Sequence, residues 1–223
     1  MRPARHLIVF LRAPRLGAVK TRLAADIGAL GAWRFYRGCT ARVLGRVAND
    51  ARWRTRLAVT PDRFTGAGFW PNALCRIAQG TGDLGARMAR AFGRLPPGPA
   101  IIVGSDMPDL DADQINRAFR ALGGADAVFG PATDGGYWLI GLARRRPLPR
   151  GLFRGVRWST EHALADTLAS LPGHFRIALL EHCADIDDGA DYRRWRDPAQ
   201  ECRPAPIRGT HQNQANSIGV KET

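Results

Sequence analysis

The sequence predicts an α/β fold: a mostly parallel sheet with helices on both faces. Two observations carry that prediction. Short apolar runs without polar alternation, such as "HLIVFL" at 6–11 and "AIIVGS" at 100–105, read as strands buried on both faces, as parallel sheets require. Longer stretches with helical spacing lie between such runs, and the two kinds alternate across the chain.

Each element follows in order. "HLIVFL" is the first strand, and the polar loop "RAPRLGAVK" leaves it. From about Thr21 to Asn49, Leu23, Ile27, Leu30, Phe35, Val43, Leu44 and Val47 keep rough helical spacing. Gly28, Gly31, Gly38 and Gly45 weaken that pattern, so one long helix and two broken ones both fit. "RTRLAVT" alternates into a second strand and stops at Pro61; "DRFTGAGFWPN" reads as loop and "LCRIAQ" as a third strand. "DLGARMARAFGRL" is an amphipathic helix closed by the "PPGP" turn. After the fourth strand, "AIIVGS", Asp111 with Gln114 three residues later marks a reciprocally capped helix. "DAVFGPA" and "YWLIGLA" read as strands separated by "TDGG". A loop ending in "RGVRW" then leads to a helix beginning near Ser159, a strand "HFRIALL", and a short helix opened by Asp188 with Asp191. Apolar periodicity is lost from about Ala199. Residues 1–198 are therefore expected to form a single domain and 199–223 a mobile tail, with no internal repeat.

Composition narrows the class. A chain of 223 residues with 45% hydrophobic content can bury a substantial core. The net charge of +13 raises an anionic partner such as nucleic acid. The basic residues, however, are almost all scattered arginines, with one dense cluster at "LARRRPLPR", 142–150, and that pattern argues against duplex binding. The only lysines are Lys20 and Lys221. Cys39, Cys75, Cys183 and Cys202 form no CxxC pair, which favours reduced thiols in the cytoplasm over zinc or a disulfide framework. His6, His162, His174 and His182 share no ligand spacing. The apolar run Leu7 to Leu11 is too short for a signal segment or membrane span, and no other segment has the length to span a bilayer.

In an open α/β sheet, ligands collect beyond the carboxyl ends of the strands. Four unusual segments fall there: "RAPRLGAVKTR", "GSDMPDL", "GPATDGGYW" and "ADIDDGADY". Asp109 or Asp111 serves as a helix cap, whereas Asp106 comes too early for that role. A strand-end carboxylate opposite a Lys/Arg loop suits a metal-bound polyphosphate, because Mg²⁺ is commonly held by one or two carboxylates plus substrate phosphates. Lys20 and Arg22 would neutralise phosphate oxygens beside the Gly17 turn. A solvated helix start explains "AVKTRL" equally well. In "TDGGYW" the glycines make a hairpin turn, and Asp134 is left as a candidate base toward an acceptor hydroxyl. Trp158, with Ser159 and Thr160, is placed to close the acceptor side, although packing also explains an aromatic before a helix.

"FLRAPRLGAVKTRL", "GDLGARM", "GSDMPDL", "GPATDGGYWLIGL", "RGVRWST" with "ADTL", and "DIDDGADY", in that order over roughly residues 6–196, resemble the bacterial DUF2064 family of the GT-A glycosyltransferase superfamily. That family is often described as radical-SAM and selenodomain-associated transferase 1, or arsenosugar-biosynthesis glycosyltransferase. The resemblance implies a GT-A-like nucleotide-diphosphosugar transferase fold, with one antiparallel strand in the sheet. It implies Asp106 as a metal-binding aspartate. A looser similarity to cytidylyltransferases adds Asp187 as a second ligand and Asp191 as a cap. Within the same motifs Arg12, Asp83 and Ser105 join Gly17, Lys20 and Arg22 as nucleotide- and phosphate-binding candidates. Arg12 stands where the family commonly has Lys, and the Gly-rich first loop of typical nucleotidyltransferases is missing.

The expected activity is a transferase that uses Mg²⁺ or Mn²⁺ and a nucleotide-activated donor, with glycosyl transfer to a small acceptor. The alternative is nucleotidyl transfer releasing pyrophosphate, suggested by the similarity of "AVKTRL" to phospholactate guanylyltransferases. A third reading is a non-catalytic anion- or nucleic-acid-binding protein. Asp106, Asp134 and Asp187 speak against that one, because carboxylates repel phosphate unless a cation intervenes.

Overall fold

The computed structural model describes residues 3–183 and 186–197. The strands are β1 (His6–Arg12), β2 (Arg54–Thr60), β3 (Cys75–Ala78), β4 (Ala100–Val103), β5 (Ala127–Pro131), β6 (Tyr137–Leu142) and β7 (Ile177–Leu179). They form one sheet in the order β3-β2-β1-β4-β6-β5-β7. β6 alone runs against its neighbours, β4 and β5, and every other pairing is parallel. The helices are α1 (Thr21–Val47), α2 (Leu84–Gly93), α3 (Ala112–Ala121), α4 (Ala163–Ala169) and α5 (Gly189–Arg196).

The unbroken apolar runs are explained by two core layers. From β1, Leu7, Val9 and Leu11 enter one layer with Val43 and Val47 of α1 and Ile115 and Phe119 of α3. Ile8 enters the other with Met88 and Phe92 of α2, and Leu164 and Leu168 of α4 pack at its edge. Strand side chains alternate faces, so a strand covered on both sides must be apolar at every position. Removing the wholly buried Phe92 side chain would cost about 3–5 kcal/mol.

Chain reversal at the single antiparallel strand is local. Gly135, at φ +82, turns the β5–β6 connection, and a Cβ there would lie 2.2 Å from the Glu161 carbonyl oxygen. No residue with a side chain fits that turn.

The first helical region, left open as one helix or two, is one element with a kink, because Gly28 takes φ 77 and ψ 156 inside α1. Two assignments differ from the sequence reading. The fourth helix begins at Ala163 rather than near Ser159; Ser159 has φ +60, and the intervening segment is pinned by Arg157 donating to Asp166 at 2.8 Å. The segment read as loop after Pro61 contains a single 3-10 turn, Asp62–Phe64. The expected tail, 199–223, lies outside the described residues.

The arginine cluster is tied to the fold. Arg144 donates to the carbonyls of Leu95, Pro96 and Gly98, and Arg145 to those of Leu122, Gly123 and Ala125. These carbonyls sit at or just past the ends of α2 and α3, where helices leave acceptors unsatisfied and favour positive charge. Among the described residues no helix is long and apolar enough to cross a membrane.

Candidate functional site

β1 is followed on one side of the sheet by β2, while β4 lies on its other side, so the connections after β1 and β4 part at their carboxyl ends. A crevice at such a divergence is the usual ligand position of an open α/β sheet. The site residues named from the sequence come from strand ends, loops and helix starts at this end.

The loop after β1 is anchored at its root by Tyr36 of α1. The Arg12 backbone N–H donates to the Tyr36 hydroxyl at 2.9 Å, and that hydroxyl donates to the Arg12 carbonyl at 2.8 Å. Burial raises the Tyr36 phenol above its ordinary range, keeping it a neutral donor. The Arg12 side chain reaches the Ala18 carbonyl at 3.3 Å, and Gly17 turns the loop with φ +73. Lys20 ends the loop in the left-handed region, φ 47 and ψ 52, as the N-cap of α1, and its own side chain does not cap the helix. A residue with a Cβ in that conformation costs about 1–2 kcal/mol.

Lys20 gathers the carboxylates. Its Nζ lies 2.9 Å from Oδ2 of Asp106 and 3.2 Å from Oδ1 of Asp187, with the lysine side chain only 6% exposed. Arg22 reaches the other oxygen of Asp187 at 2.8 Å from the solvent side. Asp187 is held by the start of α5: its backbone N–H donates to Asp191, and Asp188 with Asp191 forms a capping box. The neighbouring Gly189 N–H donates to Asp26 of α1, tying α5 to α1.

Ser105 is buried, with its hydroxyl 3.4 Å from that of Tyr36, while its carbonyl accepts from the Cys39 thiol. Burial, with the Asp106 charge adding to it, pushes that thiol up to about 12, so Cys39 is a packing group. Asp83 is the N-cap of α2, accepting from the Ala86 N–H at 2.7 Å.

Asp106 and Asp134 line one cleft of about 340 Å³, together with Leu84, Trp138, Trp158 and Thr160. Asp134 accepts from the Gly136 N–H at 2.9 Å and remains exposed. The Trp158 ring meets Tyr137 and Phe153, and its Nε1 is buried without a hydrogen-bond partner among the described residues. A larger cleft of about 550 Å³ lies around Arg144–Arg146 and Phe175, at the opposite end of the strands and away from these carboxylates.

The structure therefore brings Lys20, Arg22, Asp106 and Asp187 into one cluster and sets Asp134 across a shared cleft. Arg12 and Gly17 shape the loop that delivers Lys20, Asp83 starts the adjacent helix, and Ser105 faces the core. Sequence reasoning missed Tyr36 and Asp26, which fix the loop and the α5 start. Both lie inside α1, where neither stands out from its neighbours.

A divalent ion fits the donor set. Oxygens from two separate elements converge on one cationic atom, and hard carboxylate oxygens suit Mg²⁺ or Mn²⁺. Among the described residues no group of three or more His, Cys, Asp or Glu gathers as a cage. Two carboxylates completed by water and substrate phosphate match the usual habit of Mg²⁺.

Comparison with known proteins places the chain among relatives. A family model described as "Uncharacterized protein conserved in bacteria (DUF2064)" matches residues 43–160. No curated protein matches the sequence significantly. A solved structure from Desulfovibrio desulfuricans G20, a "putative nucleotide-diphospho-sugar transferase", is 25% identical with a TM-score of 0.78, covering 89% of this chain and 88% of that one. The 4-diphosphocytidyl-2C-methyl-D-erythritol synthase of Anaerococcus prevotii DSM 20548 shares the fold at 8% identity and TM-score 0.55, covering 88% of this chain and 98% of its own. Rv0371c of Mycobacterium tuberculosis H37Rv, solved in complex with manganese, does so at 15% and 0.52, with 86% and 97% covered.

Proposed function

This chain belongs to the bacterial DUF2064 family, and from that premise we propose that it is a metal-dependent transferase using a nucleotide-activated donor, with glycosyl transfer to a small acceptor as its reaction. The observation that carries the reading is the convergence of Asp106 and Asp187 on one cation position, with Asp134 on the same cleft as Asp106. The Desulfovibrio structure, named for nucleotide-diphospho-sugar transfer, supports the choice of donor, and the manganese complex of Rv0371c supports the choice of ion.

Asp106 and Asp187 would hold Mg²⁺ or Mn²⁺, which supplies positive charge to the leaving diphosphate. Lys20 and Arg22 bind phosphate oxygens, with Arg12 and the Gly17 turn shaping the same loop. Asp83 and Ser105 contribute through position: Asp83 presents the start of α2 to the cleft, and Ser105 sets the strand end that carries Asp106. Asp134, oriented by the Gly136 N–H, takes the proton from the acceptor hydroxyl.

The leaving group tests this. Glycosyl transfer breaks the bond between sugar and diphosphate and releases nucleoside diphosphate, so a panel of nucleotide sugars with Mg²⁺ or Mn²⁺ should yield it. A second reading, nucleotidyl transfer, is favoured by the fold shared with the Anaerococcus synthase together with the Lys20–Arg22 segment. Pyrophosphate release from a nucleoside triphosphate, with no turnover of any nucleotide sugar, would select that second reading.

A further inference from the structure

Among the described residues, four charged side chains beside the cleft balance one another. Lys20 and Arg22 contribute two positive charges and Asp106 and Asp187 two negative ones, through Lys20–Asp106, Lys20–Asp187 and Arg22–Asp187 pairs of 2.9, 3.2 and 2.8 Å. The ammonium of Lys20 stands between the two carboxylates to which a divalent ion would bind. A divalent ion arriving alone finds those oxygens already compensated. It must displace the lysine and leave these four described groups with two excess positive charges in a partly buried setting, where unpaired charge is costly. A diphosphate arriving with the ion removes that excess and offers the displaced ammonium new oxygens. Lysine suits such an exchange: its charge is compact and its four-carbon stem flexible. The backbone of Lys20 is itself held left-handed, between the turn at Gly17 and the kink at Gly28, both at positive φ, and such conformations are enriched where segments switch.

We propose that Lys20 is a built-in counter-ion that couples metal binding to nucleotide binding, occupying the place between Asp106 and Asp187 until ion and diphosphate enter together and then moving onto the phosphates. The inference rests on the metal-dependent reading above, and it goes further by making the two binding events cooperative. Binding linkage is reciprocal, so the nucleotide raises metal affinity by the same factor as the metal raises nucleotide affinity.

Calorimetric titration with Mn²⁺ alone and with preformed Mn²⁺–pyrophosphate complex tests it in the wild type, Lys20→Met and Asp106→Asn. Lys20→Met should bind Mn²⁺ alone about tenfold more tightly, and the complex about tenfold more weakly, within the usual span of coupling between sites. Weaker or unchanged binding of Mn²⁺ alone to Lys20→Met would overturn the proposal. Wild-type binding of the complex that is lost in Asp106→Asn keeps the metal reading intact, so that the Lys20 arm alone decides. No binding of either ligand to the wild type would overturn both. The unsubstituted chain provides a measurement independent of the variant's folding. Lys20 and Lys221 are its only lysines, so protein carrying ¹³Cε-lysine gives two assignable signals. Mg²⁺–pyrophosphate should shift the Lys20 signal in the wild type and leave it in place in Asp106→Asn. A Lys20 signal that stays fixed while the complex binds would sink the exchange.

Discussion

Asp106 and Lys20 show how much one side chain can carry. A carboxylate three residues beyond the end of a buried strand contributes little to the core, and its partner Lys20 keeps Asp187 if Asp106 loses its charge. Asp106→Asn is therefore expected to fold, as judged by circular dichroism, yet to lose metal-dependent nucleotide binding measured by calorimetry. Retained metal-dependent binding would remove Asp106 from the site. The candidacy of Asp106 after the strand was legible in sequence because it comes too early to cap a helix. Its pairing with Lys20 was not, since nothing local records contacts between loops so far apart along the chain. His6 carries a different prediction. It is buried at the start of β1, its Nδ1 accepts from Arg56, and burial, then the charges of Arg56, Arg144 and Arg54, lower it from 6.5 to about 4. A histidine held neutral in the fold but free to protonate when unfolded gives the unfolded chain more bound protons. Its stability contribution is whole above about 6.5 and is lost progressively as pH falls toward 4. Denaturant melts across that window should show His6→Gln losing less stability than the wild type between the two ends, and parallel curves would remove His6 as the cause.

Among the elements, α1 best separates what the residue pattern dictates from what packing adds. Four glycines left open whether it was one helix or two, and the answer is a helix bent at one of them. Gly28 adopts φ 77 with ψ 156, a region essentially closed to residues with a Cβ, although nothing lies within 4 Å of an added one. The cost of a side chain there is thus backbone strain rather than collision. Gly28→Ala should destabilise the protein by about 1–3 kcal/mol in chemical unfolding, and it should disturb the Lys20–Arg22 segment on the near side of the bend. Gly38→Ala, in regular helix with open space, should instead be neutral or stabilising by a few tenths to about 1 kcal/mol. Equal effects at both glycines would mean that the bend stores no conformational requirement. The capping boxes of α3 and α5 were readable because their signals, Asp111 with Gln114 and Asp188 with Asp191, lie within one turn. The start of α4 was not, because the positive φ of Ser159 and the Arg157–Asp166 pairing depend on a segment folding back on its own helix.

At the scale of the whole molecule, the excess positive charge and the site obey different rules. The densest arginine cluster is at the end away from the candidate site and is spent on carbonyls behind α2 and α3, whereas the site itself is built around three carboxylates. Mostly parallel topology was legible from the doubly buried strands. That the four candidate segments share the carboxyl end of the sheet was legible too; which side chains pair there was not, because it depends on β1 and β4 becoming neighbours with β6 reversed beside them. That convergence has a measurable consequence. Lys20 comes from the loop after β1, Asp106 from the end of β4, Asp134 from the β5–β6 turn and Asp187 from the start of α5, so a ligand bridging them ties together segments spread over most of the chain. Such a ligand binds the folded state alone and stabilises it by mass action, by about 2.7 kcal/mol at a hundred times its dissociation constant. For a chain of this size each kcal/mol raises the melting temperature by about 2–4 °C, so Mn²⁺ with the correct nucleotide should raise it by roughly 5–10 °C. EDTA should return the melting temperature to that of the nucleotide-free protein, because the phosphates then face Asp106 and Asp187 with no ion between them. An equally large shift that survives EDTA would mean that Lys20, Arg22 and Arg12 hold the nucleotide unaided, and the proposed dependence on metal would fall.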